Sequence, residues 1–509
     1  MCLAAMVAGG MQRDSTASSR PVSRRMTLAE ARPVIAALGE SAPPELRRLP
    51  PDSESAWGDW VAQRDAAVRA RIARGDEDSV VNLMLYGTTF TRRPRATPEA
   101  IAASRSDLPL ADVMDGRLQD LLDAVEAPAG DARVAFARHV IERQGLAVGP
   151  RSRESNRAYL LALRSRALAD NERYARQAAA ADAGSESERR AAHATLYRDR
   201  GLSTDSSLRV DFALDRALAA VQERRALDGR AERAAIVGPG LDFIDKAQGH
   251  DVYPVQMIQP FALADSLMRA GLATRPSIAA LDISARVLDH LRDARQRARQ
   301  GKAYRWNLVL ERNRPGLEID PEFVAFWRRA GERIGTAAAV EGTAPPGDLQ
   351  VRAIDVRPEA VLAVVGVDAN VVFERVPAAD AGGRFDLVVA TNVLVYYGPF
   401  EQALAVSNMA GMLRAGGLLL TNQPVPLPAA WGLSPVFIMS VAFDRLGSHQ
   451  RGDAIHVYRK IAARSPQSAV RKDVAAAEFA AHSSAGRSLP AKAGRHTIGT
   501  GIGNAHERP

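Results

Sequence analysis

From residue 234 onwards, short β-rich apolar runs alternate with stretches whose apolar residues recur at helical spacing. The candidate strands are AAIVG, IAALDIS, LQVRAIDV, NVVFERV, FDLVVATNV, GGLLLTNQ and IHVYRKI. The candidate helices between them are FALADSLMRAGL, SARVLDHLRDARQRARQ and EQALAVSNMAGMLRAG. Such alternation is typical of a parallel sheet covered by helices on both faces. The sequence therefore predicts an α/β fold with a doubly wound, mostly parallel sheet.

The sequence before this alternation has a different pattern. Between about residues 29 and 230 nearly every stretch carries apolar residues at helical spacing, which predicts an all-helical region. The two ends are rich in Ser, Gly and Arg and lack any periodic apolar pattern, so we expect both to be disordered. The predicted division is a disordered start (1–28), a helical N-terminal region (29–230), an α/β domain (231–462) and a disordered tail (463–509).

Composition limits the possible partners. The formal net charge is +8, but 62 of the 67 basic residues are Arg, scattered among Ala and Glu. A nucleic-acid-binding surface would require clustered basic residues, so no nucleic-acid partner is expected. The single cysteine excludes a disulfide framework and a cysteine-based zinc site, and the nine histidines show no metal-ligand spacing. We therefore predict no metal site.

The apolar runs indicate no membrane span. None reaches the roughly 18 residues that a spanning helix needs. The first residues, MCLAAMVAGGM, are apolar but lack the basic flank of a secretory signal. We expect a cytoplasmic protein. Two alternatives for this segment stay open, a remnant of a longer signal sequence and a true start at Met26.

The stretch AAIVGPGLDF joins a candidate strand to a glycine-rich turn. Gly238 and Gly240, on either side of Pro239, let the backbone turn sharply and approach a ligand with no side chain in the way. In a doubly wound sheet this first turn lies at the carboxyl edge, where ligands bind. The turn therefore predicts a ligand site.

A carboxylate follows the second candidate strand. IAALDIS ends at Asp282 and Ile283, and a carboxylate at this position can accept hydrogen bonds from two ribose hydroxyls. The usual distance from the glycine turn is about 20 residues, whereas Asp282 follows Gly240 by 42 (282 − 240). An aperiodic stretch at 243–258 explains the excess as an inserted loop. Asp282 could also cap the following helix, although Ser284 is the better capping candidate.

Residues 383–423 read GRFDLVVATNVLVYYGPFEQALAVSNMAGMLRAGGLLLTNQ. This stretch resembles the class I S-adenosylmethionine-dependent methyltransferases: FDLVVATNVLVYY is similar to their fourth strand and following loop, and the remainder to their next helix and fifth strand. The NVLVYY portion is also similar to the chemoreceptor glutamate methyltransferases. The resemblance covers about residues 231–462. It implies a Rossmann-like fold, S-adenosyl-L-methionine as cofactor, and in-line transfer of a methyl group to an acceptor, a small molecule or a protein, that the sequence does not identify.

The resemblance also implies roles for individual residues. The glycine turn would pass under the methionine part of the cofactor, and Asp282 would bind the ribose. Thr391 and Asn392, at the end of the fourth strand, would face the methyl donor and the substrate. No catalytic residue is assigned. The predicted cofactor-binding set is Gly238, Pro239, Gly240, Asp242, Asp282, Ile283, Thr391 and Asn392.

Two departures from the family pattern leave alternatives open. Ile236 stands where the family usually has an acid, and Asp242 stands at its third glycine position. Asp242 could replace the missing acid, or the fold could be a catalytically degenerate binding or scaffold module. A nicotinamide dehydrogenase is less favoured, because the G-x-G-x-x-G motif would end at Phe243 instead of glycine.

Three further segments have two interpretations each. The insertion at 301–348 reads either as a helical subdomain or as a cap that excludes water. The inserted loop at 243–258 could close over the cofactor. The acids Asp76, Glu77 and Asp78 could favour the positive start of a helix, or could form a metal or substrate site. In that second interpretation the anion-binding partners would be Arg92, Arg93 and Arg95.

Overall fold

The structure is a computed structural model. It describes residues 22–95, 110–128, 130–182, 197–204, 206, 208–244, 251–311, 316–341, 349–380, 382–447 and 449–462. The predictions of disorder for residues 1–21 and 463–509 lie outside the described residues.

The described chain contains helices throughout and strands mainly after residue 230. The helices are α1 (Leu28–Leu38), α2 (Pro44–Arg47), α3 (Glu54–Tyr86), α4 (Leu110–Glu126), α5 (Ala132–Arg143), α6 (Arg153–Asp182), α7 (Leu208–Glu223), α8 (Gln259–Arg269), α9 (Ala285–Arg299), α10 (Pro321–Arg329), α11 (Pro358–Leu362) and α12 (Pro399–Met412). The strands are β1 (Arg24–Arg25), β2 (Arg233–Val237), β3 (Ser277–Asp282), β4 (Tyr304–Glu311), β5 (Leu317–Ile319), β6 (Gly335–Ala338), β7 (Leu349–Val356), β8 (Val364–Asp368), β9 (Glu374–Arg375), β10 (Phe385–Ala390), β11 (Leu413–Thr421), β12 (Leu433–Leu446) and β13 (His449–Lys460).

The main sheet has the order β5-β12-β13-β11-β10-β2-β3-β8. Strands β11, β10, β2, β3 and β8 are parallel, and β13, β12 and β5 continue the sheet antiparallel. Among the parallel strands, β2 comes first in the sequence, and β3 and β8 follow on one side of it. The chain then crosses to β10, on the other side of β2. This reversal is the topological switch point of a Rossmann-like doubly wound sheet. The predicted fold class is confirmed.

Both faces of the sheet are buried, as the apolar runs predicted. Alternate residues of β2 belong to different cores, since successive side chains of a strand point to opposite faces. Ile236 packs in the core that contains Phe261 of α8, whereas Val237 packs in the core that contains Phe400 of α12. Helix α7, which the sequence placed in the helical N-terminal region, contributes Phe212 to the first of these cores.

The N-terminal helices form a core of their own. Leu83 of α3, Leu121 of α4 and Val140 of α5 are fully buried against one another's helices, together with Leu160 of α6. This arrangement agrees with the helical spacing of the sequence. Helix α3 is also long enough to reach the sheet, because its first half contributes Trp57 to the core under α12.

The predicted disordered start is too long by several residues. Arg24 and Arg25 pair antiparallel with Arg375 and Glu374 of β9. The next residue, Met26, is 2% exposed and its carbonyl accepts a hydrogen bond from the Trp57 indole. A capping box between Thr27 and Glu30 then starts α1. Buried apolar surface and a cap therefore order residues that the composition alone assigned to a disordered segment.

The insertion at 301–348 is mainly a second sheet and not a helical subdomain. Strands β4, β7 and β6 form a three-stranded antiparallel sheet, and α10 is the helix within the described part of the insertion. LQVRAIDV, predicted for the main sheet, is β7 of this small sheet. The third parallel strand is instead Val364–Asp368, and NVVFERV supplies only the short β9. The spacing of apolar residues identified β7 as a strand but not its sheet, and it missed β4 and β8.

Candidate functional site

A cleft opens at the carboxyl ends of β2, β3 and β10. It lies at the switch point of the sheet, where doubly wound folds bind ligands. One wall comes from the sheet and its following turns, and the opposite wall comes from the middle of α3 and from residues 197–204. Of the predicted set, the lining residues are Gly238, Gly240, Asp282, Ile283, Thr391 and Asn392.

The glycine turn requires glycine at both positions. Gly238 has φ +63° and Gly240 has φ +64°, a left-handed conformation that side chains rarely adopt. The Gly238 N–H donates to the Leu281 carbonyl at 2.8 Å, which ties the turn to β3. A Cβ atom at Gly238 would lie 2.8 Å from Cγ2 of Val393. Pro239 lies between the two glycines but is not among the residues that line the cleft.

Asp282 ends β3 with its side chain buried at the edge of the cleft. Its Oδ1 accepts a hydrogen bond from the Ser284 N–H at 2.8 Å. Burial raises the pKa of the Asp282 carboxyl to about 6, although backbone hydrogen bonds from Ser284, Gly240 and Ile283 oppose the shift. The N-cap of α9 is Ser284, so Asp282 lies two residues before the cap and is not the capping residue. A carboxylate held in this way retains lone pairs that can accept further hydrogen bonds.

Two asparagines hold the end of β10 beside β11. Asn392 has φ +58°, a strained conformation for a residue other than glycine. Its N–H donates to Oδ1 of Asn422 at 2.9 Å, and Nδ2 of Asn422 donates back to Oδ1 of Asn392 at 2.6 Å. The reciprocal pair fixes the Asn392 side chain to the neighbouring strand. Asn392 therefore shapes the cleft chiefly through its backbone, while Thr391 directs a hydroxyl towards α8.

Gln259, which the sequence did not suggest, belongs to this wall of the cleft. It is 3% exposed, and its Nε2 donates to Oγ1 of Thr391 at 3.3 Å. Its Oε1 is buried and has no hydrogen-bond partner within the described part of the chain. A buried acceptor without a hydrogen bond lowers the stability of a folded protein. Its position is consistent with a hydrogen bond from a ligand. The available signal was a polar residue just before Pro260 at the start of an apolar helix.

The acidic stretch in α3 does not start a helix, and of its three acids Asp78 lines the cleft. Asp76, Glu77 and Asp78 lie in the interior of the helix Glu54–Tyr86, far from its start. Their cationic partners come from α5 and α6 and not from Arg92, Arg93 or Arg95. The pairs are Asp76 with Arg143 at 2.8 Å, Asp78 with Arg166 at 2.8 Å, and Glu77 with Arg166. Among the described residues, no group of three or more His, Cys, Asp or Glu side chains could hold a metal ion.

The structure places Asp242 beside the cleft and not in its lining. Its carboxylate accepts hydrogen bonds from the Tyr253 hydroxyl and from Nε2 of Gln256, both at 3.0 Å. Ile236, at the position of the missing acid, is completely buried in the core. Asp242 lines a separate neighbouring cavity with Arg209 and other residues. The proposed replacement of the missing acid by Asp242 is therefore not what the geometry favours.

The described residues of the two predicted covers do not line the cleft. The loop at 243–258, of which residues 245–250 lie outside the described residues, packs against the helical region. Its Phe243 contacts Phe136, with ring centroids 5.0 Å apart. No described residue of the insertion at 301–348 lines the cleft. Helix α3 contributes Ser79 and Asn82 to the lining of the cleft, which also contains the glycine turn.

Tyr396 and Tyr397 both line the cleft. Tyr397 is 6% exposed, and burial raises the pKa of its hydroxyl above the usual range. Tyr396 packs against Tyr197, with ring centroids 5.7 Å apart. Both tyrosines therefore pack against neighbouring side chains at the edge of the cleft. Within the described chain, no helix combines the length and the apolar character that crossing a membrane requires.

Comparison with known proteins gives matches to solved structures alone. No protein-family model matches the chain, and no curated protein sequence matches it. The N-methyltransferase NodS from Bradyrhizobium japonicum is 12% identical, with a TM-score of 0.24 over 49% of this chain and 95% of that one. The magnesium protoporphyrin IX methyltransferase ChlM from Synechocystis, solved with bound S-adenosylmethionine, is 12% identical, with a TM-score of 0.23 over 50% and 81%. A TehB-like S-adenosylmethionine-dependent methyltransferase from Corynebacterium glutamicum is 11% identical, with a TM-score of 0.22 over 48% and 87%.

Proposed function

We propose that this protein is an S-adenosylmethionine-dependent methyltransferase. The observation that carries the proposal is the convergence of three features in one cleft at the switch point. These are a left-handed glycine turn after β2, a buried carboxylate at the end of β3, and polar groups at the end of β10. This is the arrangement that a nucleoside with a charged, extended substituent requires.

Individual residues of the cleft fit parts of the cofactor. Asp282 would accept hydrogen bonds from the ribose hydroxyls, as a carboxylate does at the end of the second strand of such sheets. Gly238 and Gly240 leave room for the methionine part to approach the backbone. The buried, unpartnered Oε1 of Gln259 would accept a hydrogen bond from the ammonium group of the same part. When bound, S-adenosylmethionine supplies a methyl group on a positively charged sulfur.

The protein's own contribution would be positioning and exclusion of water. Methyl transfer requires donor and acceptor to be held in line at near-attack distance. The wall from α3 and residues 197–204 faces the sheet across the cleft, so an acceptor bound against it would face Thr391 and Asn392. An acceptor that carries no proton needs no general base. The absence of an assigned catalytic residue is therefore compatible with this reaction.

The test is a calorimetric titration of the purified protein with S-adenosylmethionine and S-adenosylhomocysteine, with NADH as the control ligand. We expect micromolar binding of the first two and no saturable binding of NADH. A folded protein that binds neither of the first two would contradict the proposal.

The second candidate function is a degenerate methyltransferase fold that acts as a binding or scaffold module. The observation in its favour is that Ile236 is buried and that the Asp242 carboxylate is already occupied by Tyr253 and Gln256. Such a module would retain the fold without saturable binding of S-adenosylmethionine. The same titration therefore distinguishes the two functions.

A further inference from the structure

Arg200 lies on the wall of the cleft that is formed by α3 and residues 197–204. Arg200 lines the cleft, and its Nη2 donates to Oδ1 of Asn171 at 2.8 Å. Its guanidinium carbon lies 5.6 Å from the ring centroid of Tyr174 and 5.8 Å from that of Tyr197. Among the described residues, no carboxylate oxygen lies within 4.0 Å of its nitrogens. Most of the five N–H donors of this guanidinium are therefore available to a ligand.

The neighbouring arginines behave differently. Arg74 and Arg173 both pair with Asp170, at 2.5 Å each, and Arg166 pairs with Asp78 at 2.8 Å. Asp78 also lines the cleft and hydrogen-bonds to Arg166, and its carboxylate attracts Arg200 only from beyond 4.0 Å. Arg200 thus differs from these three arginines, which form ion pairs with carboxylates.

Arg71 of α3 is a second arginine near this wall that forms no ion pair within 4.0 Å among the described residues. The Arg71 guanidinium donates to three backbone carbonyls, those of Arg200, Tyr396 and Tyr197, at 2.9 to 3.2 Å. Burial lowers the pKa of Arg71, which shows that its charge is poorly solvated. An anion in the cleft would be attracted by both guanidinium groups. Arg71 also fixes the backbone that carries Arg200 and the two tyrosines.

The same wall offers aromatic surface next to the charge. Tyr174 and Tyr197 stack with ring centroids 5.1 Å apart, and their hydroxyls share a hydrogen bond of 2.8 Å. Tyr396 continues the row, 5.7 Å from Tyr197. Since the Tyr197 hydroxyl is occupied and burial raises its pKa, these tyrosines are suited to contacting a ring and not to removing a proton. Asn82, which is 5% exposed, provides a polar group on the same wall.

We propose that the acceptor subsite of this cleft binds a small aromatic carboxylate, with its carboxylate on Arg200 and its ring against Tyr197 and Tyr396. Guanidinium groups bind carboxylates through two parallel hydrogen bonds, and this geometry is strongest where water is partly excluded. The carboxylate is the group that is recognised, and the methyl acceptor is another group on the ring. That the bound carboxylate is a methyl acceptor rests on the proposed function. The binding of a carboxylate at Arg200 does not depend on that function.

The test uses a panel of hydroxybenzoates and aminobenzoates, each matched with its neutral amide. Binding is measured by calorimetry, first to the protein alone and then to the protein saturated with S-adenosylhomocysteine. We expect members of the panel to bind at least 10-fold more tightly as carboxylates than as amides. Replacement of the charged partner, Arg200→Met, should reduce carboxylate affinity by roughly 10- to 100-fold, and Arg200→Lys should restore part of it.

The matched control is Arg198→Met, two residues away. Arg198 is exposed, pairs with Asp199 at 3.3 Å, and does not line the cleft. It should leave carboxylate affinity unchanged. Equal binding of carboxylates and amides, no binding by any member of the panel, or equal losses in the Arg198 and Arg200 variants would overturn the proposal. If Arg200→Met does not fold, the comparison of carboxylates with amides on the unchanged protein decides.

The two proposals fail separately. If S-adenosylhomocysteine binds but no carboxylate does, the acceptor proposal is wrong and the proposed function stands. If carboxylates bind through Arg200 but S-adenosylhomocysteine does not, the anion site stands and the proposed function is wrong.

Discussion

Asp251, in the loop after β2, accepts a hydrogen bond at 2.8 Å from the backbone N–H of Thr88, just beyond the end of α3. Thr89 adds two donors to the same carboxylate, its N–H at 3.1 Å and its hydroxyl at 2.8 Å. The Asp251 side chain is almost completely buried. Helix α3 forms one wall of the cleft and β2 leads into the other. This contact therefore ties the segment after α3 to the described part of the loop that follows β2.

The first prediction concerns that contact. Asp251→Ala removes the acceptor of the donors at Thr88, which is half-buried, and at Thr89, which is exposed, and we expect a loss of about 1–3 kcal/mol in the free energy of unfolding. Urea unfolding followed by circular dichroism measures the effect. Asp52→Ala is the control, because Asp52 is an exposed residue of a turn. Equal free energies of unfolding for the two variants would show that this contact does not stabilise the fold.

The second prediction concerns the ribose site. Asp282→Ala should weaken binding of S-adenosylmethionine by roughly 1–3 kcal/mol, since a buried hydrogen-bonding carboxylate is lost. Asp368→Ala is the matched control: Asp368 is the register partner of Asp282 on β8, but its side chain is exposed and pairs with Arg69. Calorimetry on both variants measures the difference. An unchanged affinity in the Asp282 variant would remove the ribose assignment.

The third prediction concerns pH. Burial raises the pKa of Asp282 to about 6 in the folded protein, above the ordinary value of 3.8. The folded state therefore binds this proton more tightly than the unfolded state does, and this group makes the protein less stable as pH rises from about 4 to 6. Ribose binding requires the ionised carboxylate. We expect the affinity for S-adenosylmethionine to fall below pH 6, by at most about tenfold per pH unit.

A second group requires a control in that experiment. Burial also raises the pKa of Asp453 to about 6, and Asp453 contacts Asn422 at 3.2 Å, next to Asn392. Asp282→Asn removes the titration of Asp282 and leaves that of Asp453. If the pH dependence between 5 and 7 persists in this variant, Asp453 and not Asp282 is its source.

The parts of the cleft that the sequence predicted are those fixed by local patterns. A buried strand followed by Gly238 and Gly240, and a second strand ending at Asp282, are visible because strand, turn and carboxylate are contiguous in the chain. The parallel order of the strands then brings these segments to one edge of the sheet. For this reason six of the eight predicted residues line the same cleft.

The opposite wall could not be predicted in this way. Asn82 reaches the cleft on the long helix α3, and Arg200 reaches it from a turn whose backbone Arg71 of α3 holds. Gln259 lies close to the glycine turn in space only because the intervening loop folds back onto α3. The small sheet was misassigned for a related reason: β7 has the periodicity of a strand, but its partners are chosen by packing against α8 and α10.

The last prediction concerns the glycine turn itself. Gly238→Ala introduces a side chain at φ +63° and places its Cβ 2.8 Å from Cγ2 of Val393. Gly271→Ala introduces a side chain at a similar φ of +70° with no atom within 4 Å, so it measures the conformational cost alone. We expect about 1–2 kcal/mol of destabilisation for Gly271→Ala, and a further 1–3 kcal/mol for Gly238→Ala from the close contact. The double variant Gly238→Ala with Val393→Ala should recover most of that further loss, because it removes the methyl groups of Val393. Urea unfolding of the four proteins gives these differences, and equal losses in the two glycine variants would mean that Val393 yields freely and that the turn has room for a side chain.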